Sequence, residues 1–178
     1  IVDHRAFIWT DYRTHSDSFL RCLIRDIDLS PASLGRLVQR VAELETYRMM
    51  ALLSLPPARA ARPKIAELEQ RLSGVLQELA AGNAADDERA MLSRLSIVAA
   101  ETERISASLN YRFSASRAYQ ELVRQRAQSL RLERQPGLPP MTEYVFTRFE
   151  PAVETMDNLA RRIETLSRRV ARASDLLR

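Results

Sequence analysis

Two histidines, one cysteine and a scatter of acids are the residues of this 178-residue chain whose types could do chemistry by themselves. His4 and His15 stand with Asp3, Asp11 and Asp17 around the stretch Ala6-Phe7-Ile8-Trp9. Zinc takes three or four ligands at short, fixed spacings. Two histidines separated by ten residues, beside acids, do not supply that set, so both are expected at the surface. Cys22 is alone, which excludes an internal disulfide and a thiolate metal site. On a short apolar segment it is expected to be a small buried hydrophobe. Ser114 and Ser116 fall in a helical stretch with no histidine nearby to act as a base. No glycine-rich phosphate loop is present. No catalytic residue, metal ligand or cofactor site is assigned, and the chain is read as non-enzymatic.

What remains is polar chemistry inside apolar stripes. Glu45 and Arg48 lie within Glu45-Thr46-Tyr47-Arg48-Met49-Met50, and Arg112 and Ser116 within the segment from Asn110 to Tyr119. The spacing places Glu45 and Arg48 on the apolar seam of the first helix, and Arg112 and Ser116 on that of the third. Buried charges must be paired or they cost several kcal/mol each. Glu45, Arg48, Arg112 and Ser116 are therefore expected to form one buried polar layer that sets the register between helices. A second group is basic. From Arg161 to Arg178 there are six arginines against Glu164 and Asp175, and Arg161, Arg162, Arg168, Arg169 and Arg172 make a candidate basic surface.

These residues need long helices to hold them. The chain has 46% hydrophobic and 6% aromatic residues, with 4 Gly and 8 Pro, which suits an aliphatic helical bundle. Residues 1–29 differ: Ala6-Phe7-Ile8-Trp9 and Phe19 to Ile24 read as a β-hairpin, a remnant of a domain lying before it. Residues 30–178 read as an elongated antiparallel bundle of coiled-coil-like helices at about 30–55, 63–81, 86–134 and 140–178. Ser30-Pro31 opens the first, with a capping hydroxyl and a proline where no N–H is needed. Leu34, Leu37, Val38, Val41, Leu44, Tyr47, Ala51, Leu52 and Leu55 give its apolar stripe. Pro56-Pro57 and Pro63 are expected to stop or kink the chain, leaving open a bend or a full reversal. Gly82-Asn83 ends the second helix and Asp86-Asp87-Glu88 favours the start of the third. At about 49 residues the third would be a rod of roughly 73 Å. Pro151 predicts a kink or a short helix before the last heptad run from Ala152 to Leu177.

The net charge is +4 and the sequence pI about 9.7, nearly all from arginine, since Lys64 is the only lysine. An antiparallel pairing of the last two helices sets Glu101 and Glu103 against Arg168, Arg169 and Arg172. It sets Arg112 and Arg117 against Glu154, Asp157 and Glu164, and Arg124 and Arg126 against Glu143 and Glu150. Internal neutralisation on this scale, with no aromatic interleaving, argues against nucleic acid as the partner. No run of about eighteen apolar residues exists to span a membrane. The chain opens without an initiator Met and stops in mid-pattern, which predicts a fragment of a longer protein.

Several of these segments also carry a resemblance. Gly35 to Arg40, Glu45 to Leu53, Tyr111 to Tyr119, Trp9-Thr10-Asp11 and Arg172 to Leu177 look like a bacterial family of uncharacterised membrane-anchored proteins, domain of unknown function 3422. The resemblance covers nearly the whole chain and implies an N-terminal domain before it and a hydrophobic C-terminal anchor after it. It implies no activity. The expected role is a helical stalk or scaffold on the cytoplasmic side of a membrane, where a basic helix end meets anionic lipid. Its expected partner is an unidentified protein or a second copy of itself. The alternative is a cytoplasmic binder of nucleic acid or anionic lipid through the arginine-rich last helix.

Overall fold

A computed structural model describes residues 5–81, 84–133 and 137–177, without the side chains of residues 84–87. His4, Gly82-Asn83 and Pro136 lie outside the described residues, as do the side chains of Asp86 and Asp87. The order is β1 (Ala6–Thr14), β2 (Leu20–Asp26), α1 (Pro31–Leu52), α2 (Leu55–Ala80), α3 (Ala84–Ser129) and α4 (Met141–Leu176). The fold is all-α with a two-stranded N-terminal hairpin. The chain divides into two compact units, residues 1–52 with 116–151, and residues 53–115 with 152–178.

In the first unit β1 and β2 pair antiparallel, with Ala6 opposite Asp26, Trp9 opposite Leu23 and Thr10 opposite Cys22. The register then slips. Thr14 opposes Leu20, so four steps along β1 match two along β2 and β1 carries two extra residues. The Tyr12 amide donates to Thr10 Oγ1 at 3.2 Å and the Arg13 amide to Asp11 Oδ1 at 3.0 Å, bonds that replace the missing ladder. Tyr12 itself sits at φ 51°, left-handed space that an aromatic residue rarely occupies. Cys22 is exposed, contrary to its expected burial, because two strands have too little partner surface to cover both faces.

Helix α1 starts as the Ser30-Pro31 pair requires, the Ser33 amide reaching the Ser30 carbonyl at 2.9 Å and its Oγ at 3.3 Å. It buries Leu37, Val41, Leu44 and Ala51, while Val38 is left 49% exposed on the flank. It runs antiparallel to the C-terminal half of α3: Arg40 donates to the Ser129 carbonyl, Arg126 pairs with Glu43, Tyr47 stacks on Tyr119 and Ser116 bonds Ala51. The core of this unit adds Val123, Ala127, Leu130, Val145 and Phe149.

In the second unit α2 begins at Leu55, earlier than the expected 63. Pro56 and Pro57 fall in its first turn, where amide hydrogens have no intrahelical acceptor, so they start the helix instead of breaking it. Pro63 is accommodated inside α2 on an exposed face. Likewise α4 runs through Pro151 as one 36-residue helix, with no separate short helix before it. Helix α2 lies antiparallel to the N-terminal half of α3, tied by Glu78 to Arg94 and by Lys64 and Arg71 to Glu101. Its buried positions Ala58, Ile65, Leu68, Leu72 and Val75 meet Met91, Leu95, Val98, Ile105 and Leu109 of α3 and the heptad face of α4 in one core. Helix α3 stops at Ser129, short of the expected 134. Arg131 takes a left-handed φ of 46° and donates its amide to the Gln128 carbonyl, closing the last turn.

Two of the charge pairings expected between the last two helices take other routes. Glu101 binds Lys64 at 2.9 Å and Arg71 at 3.6 Å, both from α2, not Arg168, Arg169 or Arg172. Arg126 binds Glu43 of α1, not Glu143 or Glu150. Glu101 and Arg126 are both paired, with α2 and α1 supplying the partners.

Candidate functional site

The bulge in β1 and the middle of α1 meet where Tyr12 lies beside Glu45 and Arg48. Glu45 and Arg48 are one helical turn apart, which sets their side chains on the same face. Arg48 donates from Nε at 3.0 Å and from Nη2 at 2.7 Å to Glu45 Oε2, the two side chains being only 20% and 18% exposed. The left-handed backbone of Tyr12 sends its ring over this pair. The ring stacks on Tyr144 of α4 at 4.9 Å, with the Arg48 guanidinium 5.9 Å from its centroid. Arg148 covers Tyr144 at 4.5 Å. Hairpin, α1 and α4 are thus joined through alternating aromatic rings and guanidinium groups.

The junction leaves two atoms short. The Tyr12 hydroxyl and Glu45 Oε1 are enclosed without a hydrogen-bond partner among the described residues. Burial, reinforced by the Glu45 charge, pushes the Tyr12 phenol well above its ordinary pKa. The folded chain therefore holds that proton where the unfolded chain, with a phenol near pH ~10, releases it. Stability is retained below pH ~10 and falls as pH rises above it. Tyr12→Phe removes an unsatisfied hydroxyl and is expected to be neutral or stabilising at pH ~7, and to lessen the alkaline loss. Urea unfolding of both chains at neutral pH and just above pH ~10 checks this. A marked loss at neutral pH would show that the hydroxyl is bonded.

Of the expected polar layer, the structure brings together only Glu45 and Arg48. Ser116 is buried on α3, but its hydroxyl donates to the Ala51 carbonyl at 2.8 Å, satisfying an acceptor in the last turn of α1. Arg112 is exposed and is not part of a layer. The seam at this point is carried by Phe113, 5% exposed, and Arg112 offers only its carbonyl, to the Ser54 hydroxyl at 2.9 Å. Tyr12 was missed by the sequence reasoning. The signal that could have found it was its type: an aromatic inside the polar stretch Thr10 to Ser18 has to bury against something.

The basic surface also separates into parts. Arg161, Arg168, Arg169 and Arg172 are exposed on α4. Arg162 is not free. It grips Glu69 of α2 through Nε at 3.0 Å and Nη2 at 2.7 Å. The fork-on-fork geometry makes it a tie between helices. His15 Nε2 lies 3.1 Å from Asp11 Oδ2, and Asp11 is held below its ordinary pKa by the Arg13 amide and by His15. Among the described residues no group of three or more His, Cys, Asp or Glu is placed to hold a metal ion, and no helix is long and apolar enough to cross a membrane.

No curated protein and no solved structure matches the chain. A family model described as a protein of unknown function (DUF3422) matches residues 1–178, and the chain belongs to that family.

Proposed function

We propose that this region is a non-enzymatic helical scaffold of a membrane-anchored protein, working through a protein partner or a second copy of itself. One observation supports the association above all. Trp9 and Leu23 are cross-strand neighbours on the hairpin and are 42% and 66% exposed, with Phe19 at 70% and Ile27 at 53%. Large apolar side chains gathered on a two-stranded sheet with open edges make a surface that another chain can cover. The membrane side of the reading is supported by the exposed arginines of α4, which suit a cytoplasmic face beside anionic lipid, with the anchor outside the described helices.

The test is a photo-cross-linking residue placed at position 23 in the membrane-bound protein. A discrete cross-linked product is expected, to itself or to one other protein, and Trp9→Ser should diminish it. Absence of any product, with a monomer by light scattering at every concentration, overturns the association. A second reading, a cytoplasmic binder of nucleic acid or anionic lipid through the last helix, is favoured by the exposure of Arg168, Arg169 and Arg172.

A further inference from the structure

In the second unit α2 and α4 enclose a groove of about 430 Å³, lined by Arg62, Thr155, Asn158, Leu159, Arg161 and Arg162. Helices α2 and α4 run side by side in the same direction along it, since Glu69 meets Arg162 and, seven residues earlier on each helix, Arg62 and Thr155 line the same groove. Three of the six lining residues are arginines and none is an acid. Leu159, 4% exposed, forms an apolar base that keeps water from solvating the guanidinium groups from below.

The arginines are not equivalent. Arg162 is held by Glu69, so its charge is compensated and its position fixed. Arg161 donates to the Asn158 side-chain oxygen, a neutral acceptor, which orients it without neutralising it. Arg62 is exposed and makes no ion pair among the described residues. Two full positive charges, one from each helix, therefore face one groove in which Asn158 and Thr155 add neutral polar groups. Like charges lining one groove repel each other, and an anion between them removes the repulsion.

We propose that this groove is a binding site for a phosphate group, clasped between Arg62 and Arg161. A phosphate presents oxygens in several directions and can take donors from both helices at once, and the guanidinium fork matches it two bonds at a time. A lone carboxylate has two coplanar oxygens, the geometry Glu69 already satisfies on Arg162. The phosphate can be a free anion or the headgroup of an anionic phospholipid. The site is independent of the scaffold reading. It replaces the diffuse basic helix face of the second reading with a defined pair of residues on two helices.

The experiment has two arms, each on the intact chain and on Arg62→Gln, Arg161→Gln and, as a charge-matched control in the other unit, Arg25→Gln. In the first arm inorganic phosphate is titrated at constant ionic strength and amide shifts of α2 and α4 are followed. In the second, vesicles of phosphatidylcholine alone or with phosphatidylglycerol are sedimented with the protein. The substituted residues are exposed, so melting curves should be unchanged. Each charge-assisted contact removed is expected to weaken binding by about tenfold or more, while the control stays near the intact chain. Saturation in the first arm identifies a free phosphate. Binding confined to phosphatidylglycerol vesicles, and lost in Arg62→Gln and Arg161→Gln, identifies a headgroup. Binding in neither arm overturns the proposal. So does equal weakening by Arg25→Gln, or binding that Arg62→Gln and Arg161→Gln leave unchanged. Because the hairpin takes no part in the site, failure of these titrations leaves the cross-linking result at position 23 unaffected, and the reverse holds.

Discussion

Phe149→Ala should lower the free energy of unfolding by about 3–5 kcal/mol, the cost of removing a ring from a closed core. Phe149 is 1% exposed and is the largest fully buried side chain among the described residues. It follows Val145 by four positions on α4, and the two make the buried face of α4 within the first unit. The loss has two parts: transfer of the ring to water, and a cavity that neighbouring helices cannot close without bending. Phe146, three residues earlier, is only partly buried, beside Arg124 and Glu150. Phe146→Ala should cost clearly less. Urea unfolding of the two variants decides the matter, and equal small losses would mean the buried face of α4 is drawn wrongly.

Arg48→Ala is expected to cost about 3 kcal/mol, near the low end for a broken buried pair because both side chains keep some exposure. The change strips Glu45 Oε2 of two donors while Oε1 has none among the described residues, and leaves the carboxylate against the Tyr12 ring. It also removes the cation packed on Tyr12, so the docking of the hairpin loosens with it. Replacing Glu45 and Arg48 together should cost less than the sum of the single changes, since the pair is lost as a unit. A double-mutant cycle by thermal or urea unfolding measures the difference; strict additivity would place both groups in water. Arg112→Ala is the contrast. It is exposed, and its loss should fall within about 0.5 kcal/mol.

The two arginines show where reading a stripe from sequence succeeds and where it slips. Arg48 and Glu45 are a local pair, one turn apart on one helix, and local spacing settles their contact whatever else packs nearby. Arg112 depended on phase carried over many turns. From Met91 to Leu109 the buried positions of α3 alternate by four and three, as do those from Phe113 to Leu130. Between them the steps from Ile105 to Leu109 and from Leu109 to Phe113 are both four. That 3-4-4 spacing is a stutter, and it moves the seam from Arg112 to Phe113 and from Tyr119 to Gln120. An α-helix has 3.6 residues per turn, so a strict repeat of 3.5 drifts around it, and a long helix restores its seam by such a shift.

The prolines follow a related logic. Pro56-Pro57 read as a stop because a proline hinders the helix before it. They do end α1, yet they also open α2, because the first turn of a helix asks for no amide hydrogen. Which consequence prevails depends on whether apolar partners wait on the far side, and Ala58 and Ile65 find them in the second unit.

Composition, spacing and end signals alone determined the helical class, the hairpin, the Ser30-Pro31 start and the heptad run of α4. All of these rest on residues within a few turns of each other. Tertiary packing alone decided the phase of α3, the exposure of Cys22, the partners of Glu101 and Arg126, and the burial of Tyr12 under a left-handed backbone. It also decided the division of the arginines of α4 into a tie to Glu69 and a groove shared with Arg62. Each of these turns on which distant segment arrives beside a residue, and periodicity along one chain carries no information about that.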